Sequence, residues 1–252
     1  MTEAQRARLT IRRDLWQGNT AGKVPGFVQC NLVVLAEADA CDFLVYCHRN
    51  PQACPLIDVT DPGDPVPRLA APDADVRTDV SCYAIYRRGE RCEDVTDIRD
   101  LWRPDSVAFL LGSSLSFEYL LAEAGVWEGA GAWVLNTTIP TTPAGRFRGN
   151  MVVTMRLMTR AQADQAAQIT HHYPKLHGGP IHIGRPEAIG ADLVHPIAGE
   201  SLAKLPEGLV GVFWPCGVTP QAAAVHAQCE LFIAQTSGHG FISDLKPSQF
   251  YV

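Results

Sequence analysis

The segment FWPCGVTPQ at residues 213–221 places a cysteine in a turn between an apolar run and a stretch of helical character. Thr219 is a preferred N-cap residue and Pro220 suits the first turn, so a helix is predicted to begin here. A helix N-terminus exposes unpaired N–H groups that bind anions, and it can lower the pKa of a nearby thiol. Cys216 is therefore predicted to act as a thiolate or a hydrogen-bond donor, or else to pack under the turn as a small buried side chain.

A second junction of the same form, LLGSSLSFEY, lies at residues 110–119. Gly112 permits close approach of another backbone, and hydroxyl groups follow it at a predicted helix start: Ser113, Ser114 and Ser116. Glu118 falls in the first turn of this helix, where a carboxylate either complements the helix dipole or serves in catalysis. We therefore expect two helix starts to converge on one anionic ligand.

Two glycine-flanked segments carry histidines that are suited to acid–base chemistry. In HGGPIHIG, His177 and His182 are five residues apart, which does not match the spacing of a helix-borne metal pair. In TSGHGFISD, His239 is predicted to lie at the tip of a hairpin. General acid–base work is favoured over metal binding for these side chains, and we expect neither a metal nor a cofactor.

The composition excludes several classes of partner. A net charge of −6 argues against nucleic acid, whose phosphates require a concentrated positive field. No apolar run approaches the roughly 20 residues that span a bilayer, and the N-terminal segment lacks the apolar core of a secretory signal. The eight cysteines show no CxxC spacing, so a structural zinc is not expected. A cytoplasmic location is predicted.

Alternating strands and helices predict a mixed α/β protein with two lobes. We expect a larger three-layer sheet domain at 1–130 plus 190–252 and a smaller α+β domain at 131–189. Residues 51–76 are proline-rich and predicted to be a loop. The predicted strands are QCNLVVLA, SCYAIYRRGE, VAFLL, GNMVVTMRLM, GPIHIG, LVGVFW and a final pair, ELFIAQ with FISDL. The predicted helices are the N-terminal segment, EADACDFLVYCHRN, SFEYLLAEAG, RAQADQAAQITHHY and QAAAVHAQCE.

Seven segments, in this order, resemble the motifs of one family: RNPQACPL, DVRTD, GSSLSFE, TPAGRFRGNMVVTMR, HGGPIHIG, FWPCGVTPQ and SGHGFISD. By these motifs, and by a resemblance that runs from about residue 25 to 245, the chain is identified as a member of the hydro-lyase family that is also called D-glutamate cyclase-like, or DUF1445. The resemblance implies a two-lobed α/β fold and loss of water from a small carboxylic or amino acid. In the reaction that names the family, the amine of D-glutamate attacks its own side-chain carboxyl to give 5-oxo-D-proline.

The implied chemistry assigns candidate roles to residues of this chain. A substrate carboxylate needs an anchor, for which the candidates are Arg77, Arg156 and the helix start that includes Thr219 and Gln221. Glu118 or a histidine, His182 or His239, is the candidate base, and Cys216 a further catalytic candidate. Backbone N–H groups at 113–116 or 216–219, Gly217 among them, are the candidate oxyanion donors. Either arginine has a structural alternative, since Arg77 can pair with a neighbouring aspartate and Arg156 can anchor a loop.

The chain departs from the family pattern at three places. Ser113 stands where the serine-rich motif carries a cysteine, Gln235 stands where a histidine precedes the glycine pair, and GAWVLNTTIP lacks a Met-Tyr-Arg pattern. These departures keep one alternative open, a non-catalytic small-acid binding protein. The histidines keep another open, a metal-dependent hydrolase. A homo-oligomer is compatible with an enzyme of this size, but no sequence feature specifies it.

Overall fold

In a computed structural model that describes residues 1–127 and 131–252, the chain forms two antiparallel sheets with helices packed against them. The helices are α1 (Glu3–Arg12), α2 (Glu37–Arg49), α3 (Glu118–Glu123), α4 (Arg160–His171) and α5 (Thr219–Ala227). The strands are β1 (Gln29–Ala36), β2 (Leu56–Val59), β3 (Tyr83–Arg87), β4 (Glu90–Val95), β5 (Ser106–Gly112), β6 (Trp133–Pro140), β7 (Asn150–Met158), β8 (His182–Gly184), β9 (Val210–Pro215), β10 (Phe232–Gln235) and β11 (Phe241–Ile242). None of the described helices combines the length and the apolar character that crossing a membrane requires.

The larger sheet has the order β2-β5-β1-β10-β3-β4, and β11 also pairs with β1. Alternate residues of β1 contribute to different cores, as the period of two along a strand requires. Val33 and Leu35 pack with apolar residues of α2 and α5, whereas Leu32 and Val34 pack with those of α3 and α4. The larger sheet therefore has a covered layer on each face, and the apolar runs of β1 and β5 are buried along their length.

The smaller sheet has the order β6-β7-β9-β8. Its β7 pairs with β9 in a register that joins Val153 to Pro215 and Met158 to Val210. A separate apolar cluster, which includes Leu135 and Phe213, covers this sheet. The fold class predicted from the sequence, a mixed α/β protein with two groups of strands, is confirmed.

Three strands were not predicted, because each lacks the local pattern of a strand. β2 lies inside the proline-rich segment, β4 is a highly charged edge strand, and β6 alternates weakly. The prediction that the last two strands pair with each other is wrong: β10 and β11 lie one after the other along β1. His239 consequently lies on the loop that connects β10 to β11 rather than at a hairpin tip. The proposed domain boundaries remain a prediction. They assign residues 190–252 to the larger domain, whereas β9, which lies in that range, pairs in the smaller sheet.

Helix α1 is fastened to the larger sheet by a buried arginine. Arg8 is 1% exposed and donates to the Ile242 carbonyl at 2.9 Å and to the carboxylates of Asp73 and Asp244. The two aspartates keep part of their surface in water, with side chains 50% and 23% exposed. Arg8 thus joins the N-terminal helix to β11 and to the loop before β3.

Replacing Arg8 by methionine is expected to lower the free energy of unfolding by about 2 kcal/mol. Removing one partner of a fully buried ion pair costs about 3–5 kcal/mol, and the partial hydration of both aspartates reduces that loss. Urea unfolding of Arg8→Met beside Arg6→Met, an exposed neighbour on the same helix, measures the difference. Equal unfolding midpoints for the two variants would show that the hydrogen bonds of Arg8 contribute nothing to stability.

Candidate functional site

A cleft of about 670 Å³ opens where the ends of strands from both sheets come together. It receives side chains from β1 and β7, from the junctions after β5 and β9, and from the loop after β10. Its polar lining consists mainly of Asn31, Ser113, Ser114, Glu118, Thr154, Arg156, Cys216, Gln235 and Ser237. Glu118 and Arg156 are the only lining side chains that ordinarily carry a charge among the described residues, so the cleft is close to neutral overall.

Each of the two junctions carries a glycine that lies close against another part of the chain. A Cβ atom on Gly112 would lie 1.7 Å from the Lys175 carbonyl oxygen, and one on Gly217 would lie 2.1 Å from the Asn31 amide. Neither position has room for a side chain. The serine-rich junction and the cysteine-containing turn both border one cleft, with Ser113, Ser114, Glu118, Cys216 and Gly217 on its lining.

Arg156 is the cation of this cleft. Its side chain is 1% exposed on β7, and Nη2 donates to Glu118 Oε1 at 2.5 Å and to Ser114 Oγ at 3.4 Å. Nε and Nη1 are buried and have no hydrogen-bond partner among the described residues. A buried donor without a partner costs about 1–3 kcal/mol, so the folded chain holds a guanidinium with unused binding capacity.

Aromatic rings surround this guanidinium. The Arg156 Cζ lies 5.0 Å from the ring centroid of Trp127, 5.3 Å from that of Trp214 and 5.9 Å from that of Phe117. Cation–π attraction offsets part of the cost of burying the charge, and the rings exclude water from it. Exclusion of water strengthens the electrostatic attraction of Arg156 for an anion that enters the cleft.

A chain of amide hydrogen bonds forms another part of the lining. Gln235 Oε1 accepts from the Leu32 N–H, and Gln235 Nε2 donates to Asn31 Oδ1, both at 2.7 Å. Asn31 Nδ2 in turn donates to the Gly112 carbonyl at 2.8 Å. Gln221 supports this arrangement from behind, since its Nε2 donates to the Gln235 carbonyl. Asn31 was not among the residues predicted from the sequence, although its position inside the apolar run QCNLVVLA was a signal for it.

Cys216 faces the cleft as a thiol. Burial raises its pKa, and the smaller opposing effects of the Thr154 side chain and the Val218 N–H do not reverse the shift. The position near a helix terminus predicts a thiolate, but this environment does not favour one. The cost of desolvating a negative sulfur exceeds the stabilisation that the nearby donors give it. Cys216 can therefore offer a hydrogen-bond donor. The adjacent Gly217 N–H has no backbone acceptor among the described residues.

Three polar residues of the predicted junctions serve the fold instead. Helix α5 begins at Thr219, with Val218 rather than Thr219 at the N-cap position. The buried Thr219 hydroxyl exchanges hydrogen bonds with the backbone of Val152 on β7, and Ser116 Oγ does the same with Gln29 on β1. Gln221 is held by the hydroxyl of Tyr86 and by Gln235. None of the three lines the cleft among the described residues.

Three further candidates also lie outside the lining of the cleft. Arg77 pairs with Asp75 at 2.8 Å, which is the structural alternative for this arginine. His182 Nε2 lies 2.9 Å from the Arg185 carbonyl, and its ring packs on Phe213. His239 Nδ1 lies 2.9 Å from Ser81 Oγ, and burial lowers the pKa of this histidine.

His177 connects two of the motif segments, HGGPIHIG and RNPQACPL, by a hydrogen bond. Its Nδ1 lies 2.8 Å from the Gln52 carbonyl, and Gln52 Nε2 donates to the Gly179 carbonyl. Burial lowers the pKa of His177 to about 4, with a smaller lowering effect from the charge of Arg156. The imidazole is therefore neutral in the folded chain and fastens the proline-rich loop to the segment after α4.

Acidification is expected to destabilise the protein through His177. Because its folded-state pKa lies below the unfolded value of 6.5, the unfolded chain binds more protons below that pH. The loss amounts to about 1.4 kcal/mol for each pH unit below 6.5 and ends near pH 4. Urea unfolding between pH 7 and 4.5 measures it. His177→Asn, which tolerates the left-handed φ of 79° at this position, should show a shallower pH slope; equal slopes would assign the loss to other groups.

No group of three or more histidine, cysteine, aspartate or glutamate side chains that could hold a metal ion is present in the described ranges 1–127 and 131–252. His177, His182 and His239 have separate hydrogen-bond partners in different parts of the fold. The described residues therefore give no ligand set for the metal-dependent alternative.

Comparisons with known proteins agree with the motif resemblance. The family model described as D-glutamate cyclase matches residues 107–244. A protein of Bacillus licheniformis is 48% identical over 97% of this chain and 95% of its own length. YcsI of Bacillus subtilis is 47% identical over 97% of each chain, and a protein of Rubrobacter xylanophilus is 46% identical over 99% of this chain and 98% of its own. All three carry the name "Putative hydro-lyase".

One solved structure also aligns over most of the chain. It is a nitrogen repressor-like protein from Methanococcus jannaschii, covering 92% of this chain and 91% of its own at 8% identity, with a TM-score of 0.38. At that score the likeness carries no argument about function.

Proposed function

Since the chain belongs to the D-glutamate cyclase family, we propose that its cleft binds a small carboxylic or amino acid and eliminates water from it. D-Glutamate, cyclised to 5-oxo-D-proline, is the proposed substrate. The observation that carries this proposal is Arg156, a fully buried guanidinium on the cleft with two nitrogens, Nε and Nη1, that have no acceptor among the described residues. A carboxylate supplies the charge and the lone pairs that such a group requires.

The Arg156–Glu118 pair matches the two charges of an amino acid. Arg156 binds the α-carboxylate through its unused N–H groups, while Glu118, whose Oε1 already accepts from Arg156, faces the ammonium with its other oxygen. Glu118 then accepts a proton from the ammonium and frees the lone pair of the nitrogen for attack. Two opposite charges held side by side complement the zwitterionic end of the substrate, so only the distal carboxyl group of D-glutamate adds charge to the cleft.

The distal carboxyl group is proposed to lie against neutral donors. The Cys216 thiol and the Gly217 N–H stabilise the oxyanion of the tetrahedral intermediate that forms when the amine attacks the carboxyl carbon. In this step a C–N bond forms and a C–O bond breaks. The ammonium loses two protons in becoming the lactam N–H, and the departing carboxylate oxygen leaves with two protons as water, so atoms and charge balance.

The test is an NMR assay of the purified full chain with D-glutamate, with L-glutamate as the matched control. Formation of 5-oxo-D-proline from the D-isomer, unchanged by a chelator, would support the proposal. Binding of D-glutamate without turnover would favour the alternative, a non-catalytic small-acid binding protein. The relevant departure from the family pattern is Gln235, which stands where a histidine is usual. Its amide cannot transfer a proton as a histidine could, and it is already hydrogen-bonded to Asn31 and Leu32. Turnover lost with chelator would favour metal-dependent chemistry instead.

A further inference from the structure

Three buried side-chain nitrogen or oxygen atoms lack a hydrogen-bond partner among the described residues, and all three belong to side chains that line the cleft. They are Nε and Nη1 of Arg156 and Nε1 of Trp127. All three are N–H donors. Buried polar atoms are nearly always paired in folded proteins, so a cluster of unpaired donors points to an acceptor that the described chain does not supply.

The other tryptophan beside Arg156 shows that ring packing alone does not leave an indole N–H open. Trp214 flanks the guanidinium at 5.3 Å, close to the 5.0 Å of Trp127. Yet Trp214 Nε1 donates to Thr170 Oγ1 at 3.1 Å. Outside the cleft, Trp102 Nε1 donates to the Gly63 carbonyl at 3.0 Å.

The backbone fixes Trp127 in this position. Helix α3 ends at Glu123, and Gly125 adopts a left-handed φ of 66° that turns the chain. The N–H groups of Val126 and Trp127 both donate to the Leu121 carbonyl, at 2.9 and 3.3 Å. The backbone at Trp127 is thus tied to α3, and the indole already packs against Arg156 without a ligand, which reduces the ordering cost of a hydrogen bond to that ligand.

We propose that Trp127 is a further substrate-binding residue, whose indole N–H donates to the carboxylate that Arg156 binds. This inference rests on the proposed function and extends it by one residue that neither the motifs nor the comparisons indicate. A carboxylate has about four lone-pair sites, so it accepts from Arg156 and Trp127 together. The indole adds a donor without adding charge, which keeps the Arg156–Glu118 pair balanced.

The experiment uses the ¹⁵N-labelled full chain and glutarate, a five-carbon diacid without an amine that cannot cyclise. The five tryptophans give indole N–H signals in a proton–nitrogen correlation spectrum, and Trp127→Phe identifies the one that belongs to residue 127. Glutarate should move that signal while the Trp102 signal stays in place. Glutaramide, the uncharged diamide of the same length, is the matched control ligand and should have a much smaller effect.

Calorimetry of the variants completes the test. Trp127→Phe keeps an aromatic ring over Arg156 but removes the donor, and it should weaken glutarate binding about tenfold, as expected for one hydrogen bond to a charged acceptor. Trp102→Phe, which removes an indole that is not part of the lining, should bind as the parent chain does. If glutarate binds but the Trp127 signal and the affinity of Trp127→Phe are unchanged, the inference is wrong and the Arg156 site stands. If glutarate does not bind the parent chain and D-glutamate is not converted by it, the proposed function fails as well.

Discussion

Arg156→Met is expected to weaken binding of glutarate or D-glutamate by at least about 100-fold, the loss that follows when two hydrogen bonds to a charged acceptor are removed. Arg156 is the only cationic side chain on the lining among the described residues. Methionine fills a similar volume but offers neither charge nor donor. Titration calorimetry on the purified chain measures the change in affinity.

The design has to separate loss of binding from loss of fold, because removing Arg156 leaves Glu118 partly buried beside an apolar side chain. Arg156→Lys keeps the charge and loses the planar fork, so it should fold and bind with intermediate affinity. Arg77→Met is the matched control, since Arg77 pairs with Asp75 outside the cleft. If Arg156→Lys and Arg156→Met both fold and bind with full affinity, the carboxylate anchor lies elsewhere. Loss of affinity in Arg77→Met would lead to the same conclusion.

Glu118→Gln is expected to lower kcat for cyclisation by about 10²- to 10⁴-fold, the usual contribution of a general base. The amide oxygen of glutamine can still accept from Arg156 Nη2, so the carboxylate anchor keeps its position; KM should rise through the lost charge opposite the ammonium, but much less than kcat falls. Glutamine cannot take a proton from the substrate ammonium, however. Initial rates of 5-oxo-D-proline formation, followed by NMR over a range of D-glutamate concentrations, give kcat and KM separately.

Glu123→Gln supplies the control for this substitution. Glu123 ends the same helix α3 and is exposed to solvent, so its replacement changes the charge of the helix without touching the cleft. Its kcat should stay within twofold of the parent chain. A Glu118→Gln variant that retains full kcat would show that another group takes the proton, and Glu118 would then serve only to hold Arg156.

The elements at the centre of the fold were predictable from local sequence. The strands β1 and β5 are buried along their length, and the helices α2 and α4 are buried on one side. Burial of this kind leaves an apolar run or a helical spacing of apolar residues within the segment, which can be recognised without knowing its partners. Edge strands such as β4 carry no such pattern, because their exposed residues make little contact with the core. Local sequence also could not predict that β10 and β11 each pair with β1, because β1 lies about 200 residues earlier in the chain.

For the candidate site, the sequence by itself determined the residue types at two junctions and, through the motifs, the family. It identified Ser114, Glu118, Arg156, Cys216 and Gly217 as candidates, and these line one cleft. It could not distinguish Arg156 from Arg77, because the choice depends on which carboxylate each arginine meets in the fold. Arg77 meets Asp75 two residues away, whereas Arg156 meets Glu118 38 residues away.

The tertiary structure alone decided which groups keep spare hydrogen-bonding capacity. Thr219 and Gln221 look equally available in the sequence, yet the folded chain uses both in internal hydrogen bonds. Trp127 and two nitrogens of Arg156 remain without partners among the described residues. The physical reason is that a side chain binds a ligand with the donors its neighbours leave unused, and those neighbours are set by contacts between residues far apart in the chain.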